Sequence, residues 1–254
     1  MIAIGLLTLQ LSDRPTSAPI EQEKPTWSAP EEGVTVWSGA FTVGTFFTEG
    51  NSDTRETHVL LDAERRSKKS RLILNSYADF AETDTETGSQ RTVDNVGAGG
   101  KYDYFLSEDI YALGNGSWQS DKVAELDSRF ILGAGAGWQV REDDGFKWSV
   151  EGGLSHVDQN FSDGSSDDYF ALRLGSNITY QVSKATTFEQ VAEFLPSLNG
   201  ETYYTKWDNR LKMEVLNNWI AQLQYVLEYN DQPSIGAVRA DYKFVFTLGW
   251  SFGK

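Results

Sequence analysis

Charged and apolar residues alternate with a period of two along residues 203–215, YYTKWDNRLKMEV. Lys206, Asp208 and Arg210 fall on even positions, and Trp207 and Leu211 fall on odd ones. An α-helix, with about 3.6 residues per turn, would scatter these charges around its surface, whereas successive side chains of a β-strand point to opposite faces. The stretch therefore predicts a strand with one charged and one apolar face, and the fold depends on which face meets water.

The same alternation recurs from Val36 onward and predicts about twelve strands, most of roughly 10–14 residues, longer than is usual in soluble domains. The connections alternate in kind. Short ones such as VSKA (182–185) face longer polar ones such as ETDTETGSQ (82–90) and NFSDGSSDD (160–168). Both ends of the strand region fall on the short-turn side. This layout predicts an all-β fold, an antiparallel transmembrane β-barrel with short periplasmic turns and longer extracellular loops.

Composition excludes several functional classes. The 254 residues include 22 Lys and Arg against 37 Asp and Glu, and this acidic balance is unsuited to binding nucleic acid. There is no cysteine, which excludes disulfides, thiol-ligated metals and thiol catalysis. No apolar run approaches the roughly 20 residues that a transmembrane helix needs. A membrane barrel stays compatible with this polarity, because half of its strand residues are polar.

The first 35 residues are predicted to lie outside the barrel. Residues 2–11 have the length of a signal-peptide core, yet no Lys or Arg precedes them and no clean cleavage site follows. An export signal and a plain flexible start both stay open. Residues 12–34 hold four of the six prolines and predict an unstructured linker. We therefore predict an export-signal remnant and Pro-rich leader over 1–35 and the barrel over 36–252.

Two arrangements of the alternating strands compete. In a soluble periplasmic barrel or sandwich the apolar face forms the core and binds a small apolar ligand, whereas in a membrane barrel it meets lipid. Mid-strand glycines on the polar face favour the membrane barrel, because glycine weakens a solvated strand but makes room for long side chains in a narrow lumen. These glycines are Gly97, Gly99, Gly133, Gly135, Gly137, Gly153 and Gly175.

The two faces define two sets of candidate functional residues. The polar face predicts lumen-lining charges of both signs, which are Glu56, Asp62, Arg71, Asp79, Lys101, Asp103, Arg129, Glu151, Arg173, Lys206, Asp208, Arg210, Lys212, Glu214, Arg239, Asp241 and Lys243. The apolar face predicts two girdles of membrane-interface aromatics, which are Trp37, Phe47, Tyr104, Trp138, Trp148, Tyr180, Trp207, Trp219, Tyr229, Trp250 and Phe252. Such a lumen is either filled by its own ion pairs or forms a narrow pore that selects solutes by charge.

Two stretches carry a family resemblance. WSGAFTVGTFFTEGNSDTRETHVLLDAE (37–64) combines a Trp-led strand, a Gly-Asn-Ser loop and a second alternating strand. LSEDIYALGNGSWQSDKVAELDSRFILGAGAGWQV (106–140) combines a tight turn, an Asp-bearing loop and a Gly-x-Gly-x-Gly-aromatic run. In these features the chain resembles the salt-induced outer membrane protein family, the YdiY-like domain of unknown function, over about residues 36–252. The resemblance implies an outer-membrane β-barrel with no assigned reaction. Gly253 and Lys254 depart from the terminal aromatic of such barrels, which the assembly machinery reads.

The sequence contains only two histidines, and neither predicts a catalytic or metal site. His156 precedes serines in the segment 162–166, an arrangement that loosely resembles an outer-membrane phospholipase. Hydrolysis would need a third group to orient the histidine, and Phe170 stands where that family has an asparagine. His58 is predicted to be a hydrogen-bonding residue of the lumen. The acidic loops lack the spacing of a calcium loop. An outer-membrane lipid hydrolase is kept as a remote alternative.

The sequence therefore predicts a non-enzymatic barrel in the outer membrane of a Gram-negative bacterium. Its role is structural or that of a narrow porin-like channel, and no cofactor is expected. The expected partners are outer-membrane lipids, lipopolysaccharide and the barrel-assembly machinery. Nucleic acid is not an expected partner, and the barrel is expected to be a monomer.

Overall fold

The computed structural model describes residues 30–48, 53–85, 88–143, 145–233 and 238–253. The strands are β1 (Thr35–Thr48), β2 (Asp53–Ser67), β3 (Ser70–Thr85), β4 (Gly88–Phe105), β5 (Ile110–Asp121), β6 (Leu126–Asp143), β7 (Phe146–Phe161), β8 (Ser166–Ser183), β9 (Thr186–Pro196), β10 (Tyr203–Leu216), β11 (Trp219–Asn230) and β12 (Ala240–Phe252). Across the described ranges there is no helix long and apolar enough to span a membrane.

The strands close into one barrel in which each strand runs antiparallel to its sequence neighbours. The seam between the first and last strands runs from Gly39↔Phe252 to Val43↔Leu248. Gly249 lies at this seam, where a Cβ atom would collide with the backbone oxygen of Phe41. Closure removes the unpaired edges along which another chain could add. The predicted antiparallel barrel of about twelve strands is confirmed.

The apolar rows of the strands lie on the outside of the barrel. On β6, Leu132 is 70 % exposed while its neighbour Ile131 is buried, and on β12, Phe244 is 70 % exposed while Val245 is buried. An apolar exterior of this kind is the reverse of a soluble fold, in which such residues are inside. The alternative of a soluble periplasmic barrel with an apolar core is therefore wrong.

The two ends of the barrel differ in their connections. At the turn end lie the connections 68–69, 106–109, 184–185 and 217–218, together with the start of β1 and the end of β12. At the opposite loop end lie the connections 122–125, 162–165 and 197–202, together with the end of β11 and the start of β12. Asn217 and Asn218 have φ angles of 44° and 71°, the left-handed pair that a type I′ turn requires and that matches the twist of the paired strands.

One predicted loop is mostly strand. ETDTETGSQ (82–90) was expected to be a long connection, but β3 continues to Thr85 and β4 begins at Gly88. The pairs Asp84↔Ser89 and Thr85↔Gly88 extend the hairpin. Strand pairing needs only backbone groups, so a polar stretch beyond an apolar band can continue the ladder. The residues between β3 and β4 lie outside the described part of the chain.

The inside of the barrel is not entirely polar. Near the loop end, strands β6 to β10 bury a cluster of inward-facing residues, which are Ile131, Val157, Tyr169, Ala171, Leu195 and Tyr204. Near the turn end, Phe105, Tyr111 and Leu113 form a second cluster. These two clusters occupy part of the lumen, and the charged side chains occupy part of the remaining cross-section.

Candidate functional site

A chain of ion pairs crosses the lumen from β4 to β9. Lys101 on β4 pairs with Glu151 on β7, over the intervening strands β5 and β6; we call this contact the Lys101 bridge. The Glu151 carboxylate also accepts hydrogen bonds from Arg173 Nη1 on β8 at 2.8 Å and from the Tyr111 hydroxyl at 2.9 Å. Arg173 Nε donates in turn to Glu193 on β9 at 2.8 Å. Charges of opposite sign therefore alternate along the chain, as buried ions require.

The same series of ion pairs extends to β3. Lys101 Nζ lies 3.6 Å from Asp103 Oδ2, and Arg71 Nε donates to that oxygen at 2.7 Å. The side chains of Asp103 and Glu151 are fully buried. A buried carboxylate is tolerated only with cationic partners and hydrogen bonds, and each of these two has at least two cations beside it.

Glycines on the inner face leave space for the large side chains of the lumen. A Cβ atom at Gly137 would lie inside the Tyr111 ring, and one at Gly97 would lie 2.6 Å from the Tyr77 ring. At Gly135 and Gly153 a Cβ would collide with the facing backbone. The prediction that mid-strand glycines accommodate large neighbours on the polar face is confirmed at Gly97 and Gly137.

A second ion pair crosses the lumen between β10 and β2. Arg210 Nη1 donates to Asp62 Oδ2 at 2.7 Å, although β11, β12 and β1 lie between the two strands; we call this contact the Arg210 bridge. Arg210 Nη2 also binds Asp208 on its own strand at 2.7 Å. Gln224 Nε2 holds that carboxylate at 2.9 Å. Arg210 therefore has one partner fixed on its own wall and one across the lumen.

The loop-end half of the lumen has two further contacts between distant strands. Lys243 on β12 pairs with Asp79 on β3, whose other oxygen lies 3.0 Å from His58 Nδ1. The Lys243 ammonium also lies 4.8 Å from the centre of the Tyr77 ring. His58 thus lies where the sequence predicted a hydrogen-bonding residue of the lumen.

The second of these contacts joins β5 to β11. Gln119 Nε2 donates to Glu228 at 3.2 Å, and Lys206 Nζ binds the same carboxylate at 2.6 Å. The Tyr204 hydroxyl adds a third donor at 3.1 Å. Above these residues the barrel opens into a cavity of about 490 Å³ at the loop end, lined by Glu228 and Arg129 among others.

Space remains between the bridges. Asn75 on β3, Ser117 on β5 and Val191 on β9 all point inward, because their register partners are inner-face residues. All three are nevertheless exposed, and Val191 reaches 49 %. Side chains in a filled barrel would be buried at mid-strand, so the lumen is divided by its ion pairs without being packed solid.

The structure places most predicted lumen charges on the inner face of a strand. Lys212 on β10 pairs there with Glu189 on β9 at 2.7 Å. Glu214 and Asp241 are exposed on inner positions near the barrel ends. Arg239 is a correction, because it precedes β12, is exposed and lies 3.8 Å from Asp231 in the loop-end connection. Its place outside the strand removes it from the lumen wall.

Several inner-face residues were missed. Glu193 and Glu228 complete the ion pairs of Arg173 and Lys206, and Gln119 crosses the lumen to Glu228. The two glutamates fall on the inward-facing positions of their strands, so the alternation of polar and apolar residues would have been enough to predict them. The partner of Gln119 depends on which strands face one another across the barrel, which a single strand's pattern does not contain.

The predicted aromatics lie on the outer face and are unevenly distributed. Eight of them surround the turn end, namely Trp37, Tyr104, Trp138, Trp148, Tyr180, Trp219, Trp250 and Phe252. Trp219 and Trp250 meet edge to face with ring centres 5.9 Å apart. Toward the loop end, Tyr229 stacks on Tyr203 at 5.3 Å, while Trp207 lies within β10. Phe47 belongs to β1, but its side chain is outside the described part of the structure.

His156 faces outward near the loop end. Its Nε2 lies 3.0 Å from Asp168, and its ring lies 4.8 Å from the Phe170 ring. Two serine hydroxyls of the segment 162–166 bond elsewhere, with Ser162 donating to Asp127 and Ser165 to Asp163. A Ser–His nucleophile pair is thus not assembled by these residues. The described residues also contain no group of three metal-binding side chains.

The comparisons with known proteins agree with this architecture. Residues 41–252 match the family described as "Protein of unknown function, DUF481". No match is found among curated proteins. The fold is similar to that of the NanC porin, with a TM-score of 0.51 at 12 % identity over 84 % of this chain and 98 % of that one.

Two further outer-membrane proteins superpose less well. The translocator domain of the autotransporter NalP from Neisseria meningitidis gives a TM-score of 0.48 at 14 % identity, covering 87 % of this chain and 89 % of that one. An outer membrane channel from Pseudomonas putida F1 gives 0.43 at 12 % identity, covering 90 % and 97 %. At a sequence identity of 12 %, the similarity to the NanC porin shows the fold only.

Proposed function

Because the chain belongs to the DUF481 family and is a β-barrel of the bacterial outer membrane, we propose that it is a narrow porin-like channel for small hydrophilic solutes. We further propose that it belongs to the salt-induced type within this family and has no enzymatic activity. Its partners on this proposal are outer-membrane lipid, lipopolysaccharide and the barrel-assembly machinery, and it acts as a monomer.

The observation that carries the proposal is the exposure of inward-facing residues at mid-strand. Asn75, Ser117 and Val191 remain open to solvent although they lie inside the barrel. The Lys101 bridge and the Arg210 bridge leave this space between them. A water-accessible lumen divided by fixed charges passes small solutes slowly and discriminates by charge.

The charge balance near the loop end favours cations. Lys243 and Lys206 are both neutralised by carboxylates, and Arg129 donates to Gln159. The cavity at this end is lined by two cations, Arg129 and Lys243, against four carboxylates, Glu56, Asp121, Glu228 and Asp241. Asp121 accepts hydrogen bonds only from the backbone of residues 123 and 124, and neither it nor Asp241 has an ion-pair partner in the described ranges. Uncompensated carboxylates at a pore mouth raise the local concentration of cations.

The surroundings of His156 support the proposal that the protein has no enzymatic activity. His156 contacts Asp168 and Phe170 on the outer surface. Ser162 and Ser165 both donate to aspartates. The remote alternative of a lipid hydrolase lacks a serine beside this base.

Planar-bilayer recording of the purified protein tests the proposal. We expect discrete conductance steps, smaller than those of open sixteen-stranded porins, with a reversal potential in a salt gradient that indicates cation preference. A preparation that migrates as a folded, heat-modifiable barrel yet gives no steps would contradict the channel and favour a closed structural barrel.

A further inference from the structure

A group of buried polar side chains lies along the wall formed by β11, β12 and β1. Gln222 and Gln224 on β11, Thr247 on β12 and Thr42 on β1 all point inward at mid-strand, and Gln222 is the register partner of Thr247. Gln222 is 1 % exposed and Thr247 is 0 % exposed. We call these four residues the polar slot. None of them carries a charge.

The hydrogen-bonding groups of the polar slot are largely unused. The hydroxyls of Thr42 and Thr247, both amide atoms of Gln222 and the amide oxygen of Gln224 have no hydrogen-bond partner within the described part of the chain. Buried polar groups of native proteins are nearly always hydrogen-bonded, and exceptions require an explanation. Four neighbouring side chains left unsatisfied on one wall indicate that their partner is not part of the fold.

The Arg210 bridge spans the wall that carries the polar slot. It runs from β10 to β2, the two strands that flank the slot on either side. Gln224 is the register partner of Arg210, and Gln222 is that of Lys212. When Arg210 releases Asp62 it keeps its bonds to Asp208, which Gln224 holds in place. Loss of the single contact between Arg210 and Asp62 would therefore open the slot while the Arg210 guanidinium stays on the β10 wall.

We propose that the polar slot is a permeation subsite for small neutral solutes bearing hydroxyl or amide groups, and that Arg210 is the residue that closes it. Gln222 offers both a donor and an acceptor, and the two threonine hydroxyls offer either role. A neutral polyol or amide satisfies these groups without adding a charge to the polar slot. This inference rests on the proposed channel and deepens it, because it names a solute class and a path beside the charged centre.

Liposome swelling with glycerol and urea as probes tests the inference. In Arg210→Ala the bond to Asp62 is lost together with those to Asp208. We expect both solutes to enter about tenfold faster, the change that losing the one charge-assisted hydrogen bond across the slot produces in a two-state equilibrium. Arg91→Ala is the matched control, since it removes an exposed arginine that also has two carboxylate partners, Asp94 and Glu82, in the β3–β4 hairpin away from the slot. It should leave the swelling rate unchanged.

A second variant separates the slot from general loosening of the barrel. Adding Gln222→Leu and Thr247→Val to Arg210→Ala should return glycerol entry to the wild-type rate while leaving the ionic conductance of the Arg210→Ala protein in place. In the wild-type background the same pair should raise the unfolding temperature, because apolar groups replace unsatisfied polar ones. Heat-modifiable migration confirms folding of each protein.

The outcomes distinguish this inference from the proposed function. A wild-type protein without conductance steps would contradict the channel itself. A conducting wild-type protein whose Arg210→Ala variant swells no faster than Arg91→Ala would overturn the polar slot alone. The slot is also wrong if Gln222→Leu with Thr247→Val lowers the unfolding temperature, since that result means the groups already have partners.

Discussion

Replacing Glu151 by glutamine tests whether the lumen is held together by its ion pairs. The Glu151 side chain is fully buried and binds Lys101, Arg173 and the Tyr111 hydroxyl. Glutamine keeps the volume, and its amide oxygen still accepts from the Tyr111 hydroxyl. Its amide nitrogen replaces the oxygen that accepts from Arg173 Nη1, so the charge and that hydrogen bond are both lost. Lys101 and Arg173 then lose their shared carboxylate.

The magnitude follows from what each cation retains. Breaking a buried ion pair by neutralising one partner costs about 3–5 kcal/mol. Lys101 keeps Asp103 at 3.6 Å and Arg173 keeps Glu193 at 2.8 Å. Because neither cation is left alone, we expect Glu151→Gln to lower the free energy of unfolding by about 3 kcal/mol, the lower end of that range.

Glu189→Gln is the matched control for Glu151→Gln. Its partner Lys212 lies at 2.7 Å, but both side chains of this pair are partly exposed. Pairs of this kind contribute about 0–1 kcal/mol. Urea unfolding in detergent micelles, followed by tryptophan fluorescence and gel mobility, compares the two variants. Equal losses in both, or an unchanged midpoint for Glu151→Gln, would refute the view that the buried chain of charges stabilises the barrel.

Three other substitutions test separate parts of the structure. Gly137→Ala should slow barrel assembly and destabilise the fold by about 1–3 kcal/mol, because the added Cβ would overlap the Tyr111 ring. Gly152→Ala is its control and should be neutral, since a Cβ there would have no atom within 4 Å. Heat-modifiable migration measures the folding of both variants. Leu248→Arg on the outer face should cost about 2–4 kcal/mol in lipid vesicles, and Ser117→Arg in the lumen should cost much less, by urea titration. His156→Ala should leave phospholipid turnover at the background that the wild type shows, and measurable hydrolysis lost in this variant would restore the lipid-hydrolase alternative.

The strands and their two faces could be predicted from the sequence because a period of two is a local signal. Residues 203–215 show this directly, since Lys206, Asp208 and Arg210 do point inward on β10. The length of the β3–β4 hairpin could not be predicted in the same way. Beyond the apolar band its residues are all polar, so they keep pairing without leaving an alternation of apolar residues to read.

The contacts across the lumen could not be predicted from the sequence. Arg210 and Asp62 are separated by 148 positions and meet because strand tilt and closure bring β10 opposite β2. Each residue was predicted to line the lumen, yet its partner depends on the geometry of the whole barrel. The inward apolar residues Ile131 and Leu195 were missed for a related reason, because their burial depends on the wall that they face.

Quenching of tryptophan fluorescence by brominated lipids tests the orientation of the barrel most directly. Trp37, Trp138, Trp148, Trp219 and Trp250 all lie on the outer face at the turn end. Lipids carrying bromine near the headgroup should therefore quench strongly, and more than lipids brominated near the chain end, while aqueous acrylamide should quench weakly. Emission that is insensitive to brominated lipid and quenched by acrylamide would contradict an apolar face directed at the hydrocarbon.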